Sequence, residues 1–145
     1  MRPKPPSRPR RGGAPDLQAA ERLPRPVAAL ADSFVRGCVI PAHFHRRAQL
    51  IFSLQGTMEV RAAGSLWIMP SSHALWVPPG VVHEIRMEGP VEMRTLYVQP
   101  RHAHGMKPEC RVLFVSPLLR ELIVRATLLP ALYDVRGMDG RLMRL

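Results

Sequence analysis

At 145 residues and 46% hydrophobic content, the chain holds one domain with a real core and is too short for two. No stretch approaches the ~20 apolar residues of a membrane span, and the basic N-terminus lacks the apolar segment of an export signal, which points to the cytoplasm. The net charge of +10 invites a nucleic-acid partner, but its distribution argues for an incidentally basic surface, with the arginines beyond the N-terminus scattered and no recognition-helix pattern.

Residues 1–26 carry Arg2, Lys4, Arg8, Arg10, Arg11, Arg22 and Arg25 against Asp16 and Glu21, seven charges against two and a net of +5. A Pro- and Arg-rich stretch of this kind is expected to be a disordered arm. Residues 27–33 read as a short entry strand or turn. Strands are then expected at Phe34–Ile40, Gln49–Leu54, Met58–Ala62, Leu66–Met69, His73–Val77, Val82–Met87, Val91–Gln99 and Arg111–Val115, separated by Gly- and Pro-bearing turns. Seven or eight short strands at this spacing over 27–115 imply a sandwich or barrel.

The texture changes at Ser116-Pro117, an N-cap followed by Pro at the first helical position. Leu118, Leu119, Leu122, Ile123, Ala126 and Leu129 repeat at helical spacing, and Pro130 ends the pattern. A second helix is expected near Asp139, with Leu142, Met143 and Leu145 as its apolar face. The chain stops inside that helix, as a fragment of a longer protein would. Cys38 and Cys110, far apart and without CxxC spacing, are expected to be free thiols.

Two motifs carry chemistry. The first runs Gly37, five residues, His43-x-His45, three residues, Gln49, six residues, Gly56; the second is Pro78-x-Gly80-x-x-His83. If His43 and His45 share one strand, their side chains share a face, and a third imidazole from a later strand completes the raw material of a metal or polar-ligand site. Arg47 has the same parity, so the strand must kink before Gln49 or Arg47 must snorkel. Gln49 reads equally as ligand or as hydrogen-bonded core amide. His73 has no register partner and reads as a surface histidine; His102-x-His104 imitates a ligand pair but lies in a polar loop. Trp67 and Trp76 read as core.

The spacing of both motifs resembles the two sequence elements of the cupin superfamily, over residues 34–100. The family's acidic ligand is replaced by Gln49, and the leading Gly and closing Asn of its second element fall at Ser72 and Met87. The resemblance implies a mainly β fold, a cupin barrel (double-stranded β-helix or jelly roll) followed by two C-terminal α-helices, with His43, His45, Gln49 and His83 as metal ligands. Gln adds no charge, yet three neutral imidazoles suit Zn, Ni, Fe or Cu. Over residues 34–145 the barrel with its trailing helices, including Pro90–Pro100 and Tyr133–Leu142, is similar to the N-terminal half of AraC-type transcription regulators.

That resemblance implies an effector-sensing domain that binds a small molecule, a metal or both. It implies a homodimer through the 117–129 helix, with 116–145 as the dimerisation and linker segment. DNA contact would come only through a helix-turn-helix domain absent from this chain, with no role at a membrane. The rival is a metal-dependent cupin dioxygenase or isomerase using the same three histidines. Against it, Glu84 is expected to turn away from the pocket, and Glu59, on the strand after the first motif, is the best remaining acid with its facing open, so no catalytic residue is assigned.

Overall fold

The computed structural model describes residues 15–145. Helix α1 (Pro15–Arg22) leads into strands β1 (Val27–Phe34), β2 (Val39–His43), β3 (Ala48–Gln55), β4 (Met58–Ala62), β5 (Ser65–Met69), β6 (His73–Val77), β7 (His83–Met87), β8 (Val91–Val98) and β9 (Arg111–Phe114). Helices α2 (Pro117–Leu128) and α3 (Met138–Arg144) close the described chain. The strands form two antiparallel sheets, ordered β1-β8-β3-β6-β9 and β2-β7-β4-β5. This is the cupin barrel with C-terminal helices that the two motifs imply. No helix among the described residues is long and apolar enough to cross a membrane.

Period-2 alternation sends one set of side chains between the sheets. On β8, Val91, Met93, Thr95 and Tyr97 are buried while their neighbours are half-buried. The interior they join contains Ile51, Met58, Val60, Leu75, Val77, Ile85 and Met87. β3 is buried on both faces because its other side, Ala48, Leu50 and Phe52, lies under α2 with Ala74, Trp76, Val115 and Ile123. That double burial explains the continuous apolar run of β3, where a half-exposed strand would alternate. Gly56, at φ +93°, makes the β3–β4 turn; a Cβ there would stand 2.2 Å from the Pro90 carbonyl oxygen. At the start of α2, Ser116 Oγ accepts the Leu119 N–H at 3.2 Å, as expected of an N-cap.

Two expectations are corrected, and the α2 stripe is apportioned between barrel and solvent. Residues 15–26 do not behave as a disordered arm: α1 and the segment after it lie on the barrel, with Ala20 and Leu23 packed around Ala28 and Tyr97. The Arg25 guanidinium donates to the Tyr133 carbonyl at 2.7 Å. Charge alone implied solvation, whereas here Arg25 and Glu21 find backbone partners. Residues 1–14 of the expected arm lie outside the described residues.

The single strand expected over Phe34–Ile40 is two. Gly37, at φ +78°, turns the chain between β1 in one sheet and β2 in the other, and its N–H donates to the Met87 carbonyl at 2.9 Å. Lastly, the α2 stripe is divided. Ile123 and Ala126 are buried against the barrel, while Leu118 remains 71% exposed.

Candidate functional site

The site forms at one end of the barrel, where both sheets and the connection between them meet. His43 ends β2 and pairs with His83 at the start of β7, both from the smaller sheet. Gln49 and Tyr97 are register partners on β3 and β8 of the larger sheet. His45 lies in the crossover from β2 to β3, so it shares no strand with His43; the same-strand reading of the pair is corrected here. A register shift between Ile40 and His43 ends the strand, and the chain turns through Arg46 and Arg47 before Ala48. The second motif holds the first: in the Pro78–Gly80 turn the Gly80 N–H donates to the His45 carbonyl at 2.8 Å.

The three imidazoles converge. Ring centroids stand 4.7 Å apart for His43–His45, 4.3 Å for His43–His83 and 5.3 Å for His45–His83. Their ligand nitrogens all lie within 4.8 Å of one another, against roughly 3.4 Å on a tetrahedral ion with ~2.1 Å bonds. His43 Nδ1 faces the Pro41 carbonyl at 2.6 Å, and His83 Nδ1 faces the Val81 carbonyl at 2.9 Å. Donation from Nδ1 leaves Nε2 as the free lone pair, the arrangement that prepares a histidine for a metal. Nε2 of His45 and of His83 is buried without a hydrogen-bond partner, as is Oε1 of Gln49.

Burial, and then the neighbouring His43, push His45 down to about 4. Burial also pushes His83 down to about 4, against the opposing hydrogen bond to Val81 and with smaller contributions from His43 and His45. Both rings are therefore neutral near pH 7, as metal ligation requires. Buried acceptors left unpaired cost about 1–3 kcal/mol each, so the unpartnered Nε2 atoms of His45 and His83, clustered with His43, mark a place built for an occupant. The donor set fits a divalent transition metal of the imidazole-binding kind.

The Gln49 Nε2 donates to the Tyr97 hydroxyl at 3.3 Å. The Tyr97 ring packs edge-on against His45 at 5.1 Å, and burial raises its phenol well above the ordinary range, so it stays neutral. Tyr97 was missed as a site residue, although its parity with Val91, Met93 and Thr95 places it inside. Arg47 does not snorkel. Its buried guanidinium donates to the carbonyls of Leu23, Arg25 and Tyr97. The Glu21 carboxylate, 3.7 Å from His45 Nδ1, was missed because it lies in the presumed arm.

The remaining candidates lie elsewhere. Glu59 and Glu84 belong to the outward parity of β4 and β7, opposite to Val60 and Ile85, and Glu59 pairs with Arg61 at 3.2 Å. Trp76 lies under α2, while Trp67 packs on the barrel interior with its indole N–H buried and unpartnered. His73 meets Phe114 edge-on at 5.8 Å, and His102 and His104 are exposed.

Residues 35–135 match the family described as AraC-like ligand binding domain. The chain is 38% identical over 84 residues to the HTH-type transcriptional regulator NimR of Escherichia coli (strain K12), a span of 58% of this chain and 30% of that protein. Among solved structures it resembles the putative glyoxylate induced protein of Pseudomonas aeruginosa (TM-score 0.52, 14% identity, 61% of this chain and 35% of that one). It also resembles the SPY1581 protein of unknown function from Streptococcus pyogenes (TM-score 0.50, 17% identity, 52% and 67%). At these identities the structures speak to the fold alone. With 101 of its residues matched, the chain belongs to the AraC-like ligand binding domain family.

Proposed function

We propose that this chain is the effector-sensing and dimerisation domain of a transcription regulator, and that the effector enters the barrel end ringed by His43, His45, His83 and Gln49. A divalent transition metal (Zn, Ni, Fe or Cu) held by the three Nε2 atoms is part of that receptor. The observation that carries the reading is the convergence of three imidazoles from the smaller sheet and the crossover, two of them with buried, unpartnered Nε2 atoms. Barrel residues 27–115 receive the effector, and residues 116–145 dimerise and link to a helix-turn-helix domain of the type the regulator relative's name carries; through that domain the protein acts on DNA in the cytoplasm. An effector shifts such a protein only through different affinities for its two arrangements. Catalysis is disfavoured because Glu59 and Glu84 face outward, and Glu21, which does approach His45, is already engaged by the Arg46 and Arg47 N–H groups.

Elemental analysis of protein purified without chelator or nickel resin, beside His83→Ala, tests the receptor. About one ion per chain, lost in the variant, is expected. Equal metal content in both refutes the three-histidine site, and no metal in either leaves the histidines as hydrogen-bonding groups around an organic effector.

A further inference from the structure

The three histidines are not held alike. His43 and His83 each turn Nδ1 to the carbonyl two residues earlier in the chain, Pro41 and Val81. His45 has no such carbonyl; the group facing its Nδ1 is the Glu21 carboxylate at 3.7 Å, from α1. That carboxylate is itself fixed, accepting the Arg46 N–H at 3.0 Å with both oxygens and the Arg47 N–H at 3.3 Å. From the other direction the Arg47 guanidinium grips the Leu23 and Arg25 carbonyls just beyond α1. The segment 21–25 and the crossover 45–47 are thus clasped by reciprocal contacts. Both side chains are largely buried, 5% exposed for His45 and 18% for Glu21, so solvent screens the pair weakly.

We propose that Glu21 is a positioning residue for the histidine site: its carboxylate, 3.7 Å from His45 Nδ1, favours the proton on that nitrogen by electrostatic attraction, so that Nε2 is left for the other two rings, and supplies from one layer out the negative charge that Gln49 does not. This rests on the proposed metal reading of the site. The neutral set of His43, His45, His83 and Gln49 leaves a dication uncompensated, and a carboxylate behind an imidazole raises the basicity of that ligand and fixes its tautomer. Because Glu21 belongs to α1, the site is complete only with α1 docked, and metal binding and docking of α1 favour one another to the same extent.

Two measurements on the whole chain test this. Long-range proton–nitrogen NMR spectra of the chelated wild type should show the His45 proton on Nδ1; a proton on Nε2 overturns the proposal without needing any variant. Titration with Co2+, followed by its visible absorption, should show about 10–100-fold weaker binding and an altered spectrum for Glu21→Gln, the usual cost of losing such a partner. Glu21→Asp, which keeps the charge, should recover part of the affinity. A contact that merely braces the crossover would lower the thermal midpoint of Glu21→Gln while leaving the Co2+ spectrum and affinity as in wild type, and that result overturns the proposal. If wild type binds no Co2+ in a His83-dependent way, the metal reading falls, whereas the tautomer spectrum still decides whether Glu21 orients His45.

Discussion

Acid should unfold the metal-free domain early, and the histidines set where. His45 and His83 are held to about 4 in the folded state, while an unfolded chain titrates its histidines near 6.5. Between those values the unfolded chain binds more protons than the folded one. Stability is therefore at its plateau above about pH 6.5 and falls as pH drops toward 4. Each proton of difference is worth about 1.4 kcal/mol per pH unit, so two rings set a ceiling near ~2.7 kcal/mol per unit. The rings interact at 5.3 Å, so they titrate as a pair, and opening of the crossover that carries His45 brings the slope below that ceiling.

The assay is urea denaturation of chelated protein from pH 7.5 to 5, above the range of ordinary carboxylates. The control is the variant His45→Gln/His83→Gln. Wild type should lose on the order of 1–2 kcal/mol per unit below pH 6.5, and the variant should be nearly flat. A flat wild-type profile, or the same slope in the variant, would refute the argument that burial keeps these rings neutral. Adding Zn2+ should raise stability most at neutral pH, because the ligands must be unprotonated.

Gln49→Leu removes a buried acceptor that has no partner but also the bond from Nε2 to the buried Tyr97 hydroxyl, so the two effects oppose and chelated protein should change by less than about 1 kcal/mol in urea titrations while metal affinity does not rise; a loss of about 2 kcal/mol or more would mark Gln49 as a satisfied core amide. Gly56→Ala places a Cβ 2.2 Å from the Pro90 oxygen at positive φ and should cost about 2–4 kcal/mol, read from the denaturation midpoint; a shift under 0.5 kcal/mol would mean the turn relaxes freely. If α2 forms the dimer contact, Leu118→Glu should yield a folded monomer by sedimentation, because that side chain is 71% exposed; a persistent dimer would exclude this face. Ile123→Asp should instead unfold the domain, by about 3–5 kcal/mol, since Ile123 is buried under the larger sheet; a folded monomer from this variant would contradict that packing.

Much of the fold is legible in the sequence because local rules act over a few residues. Period-2 alternation marks Val91–Val98 and Met58–Ala62, Gly and Pro mark the turns, and Ser116-Pro117 starts α2. The spacing of two motifs identified three histidines that meet in space. What the sequence could not decide depends on contacts between distant segments. The break at Gly37 follows from the change of sheet, because Met87 receives its N–H fifty residues later in the chain. The position of His45 is set by Glu21 and Gly80 on either side of the crossover, not by strand parity.

The stretch from Pro15 to Pro26 looks solvated by composition, yet it lies on the barrel because the Arg47 guanidinium donates to the Leu23 and Arg25 carbonyls while the Glu21 carboxylate accepts the Arg46 and Arg47 N–H groups. Composition counts charges without their partners, and periodicity sees one element at a time. The ligand-type residues were therefore determined by the sequence itself. Their orientation, their neutrality at pH 7 and the carboxylate behind His45 were decided by the tertiary structure, since burial and the facing of lone pairs exist only once both sheets and α1 are in place.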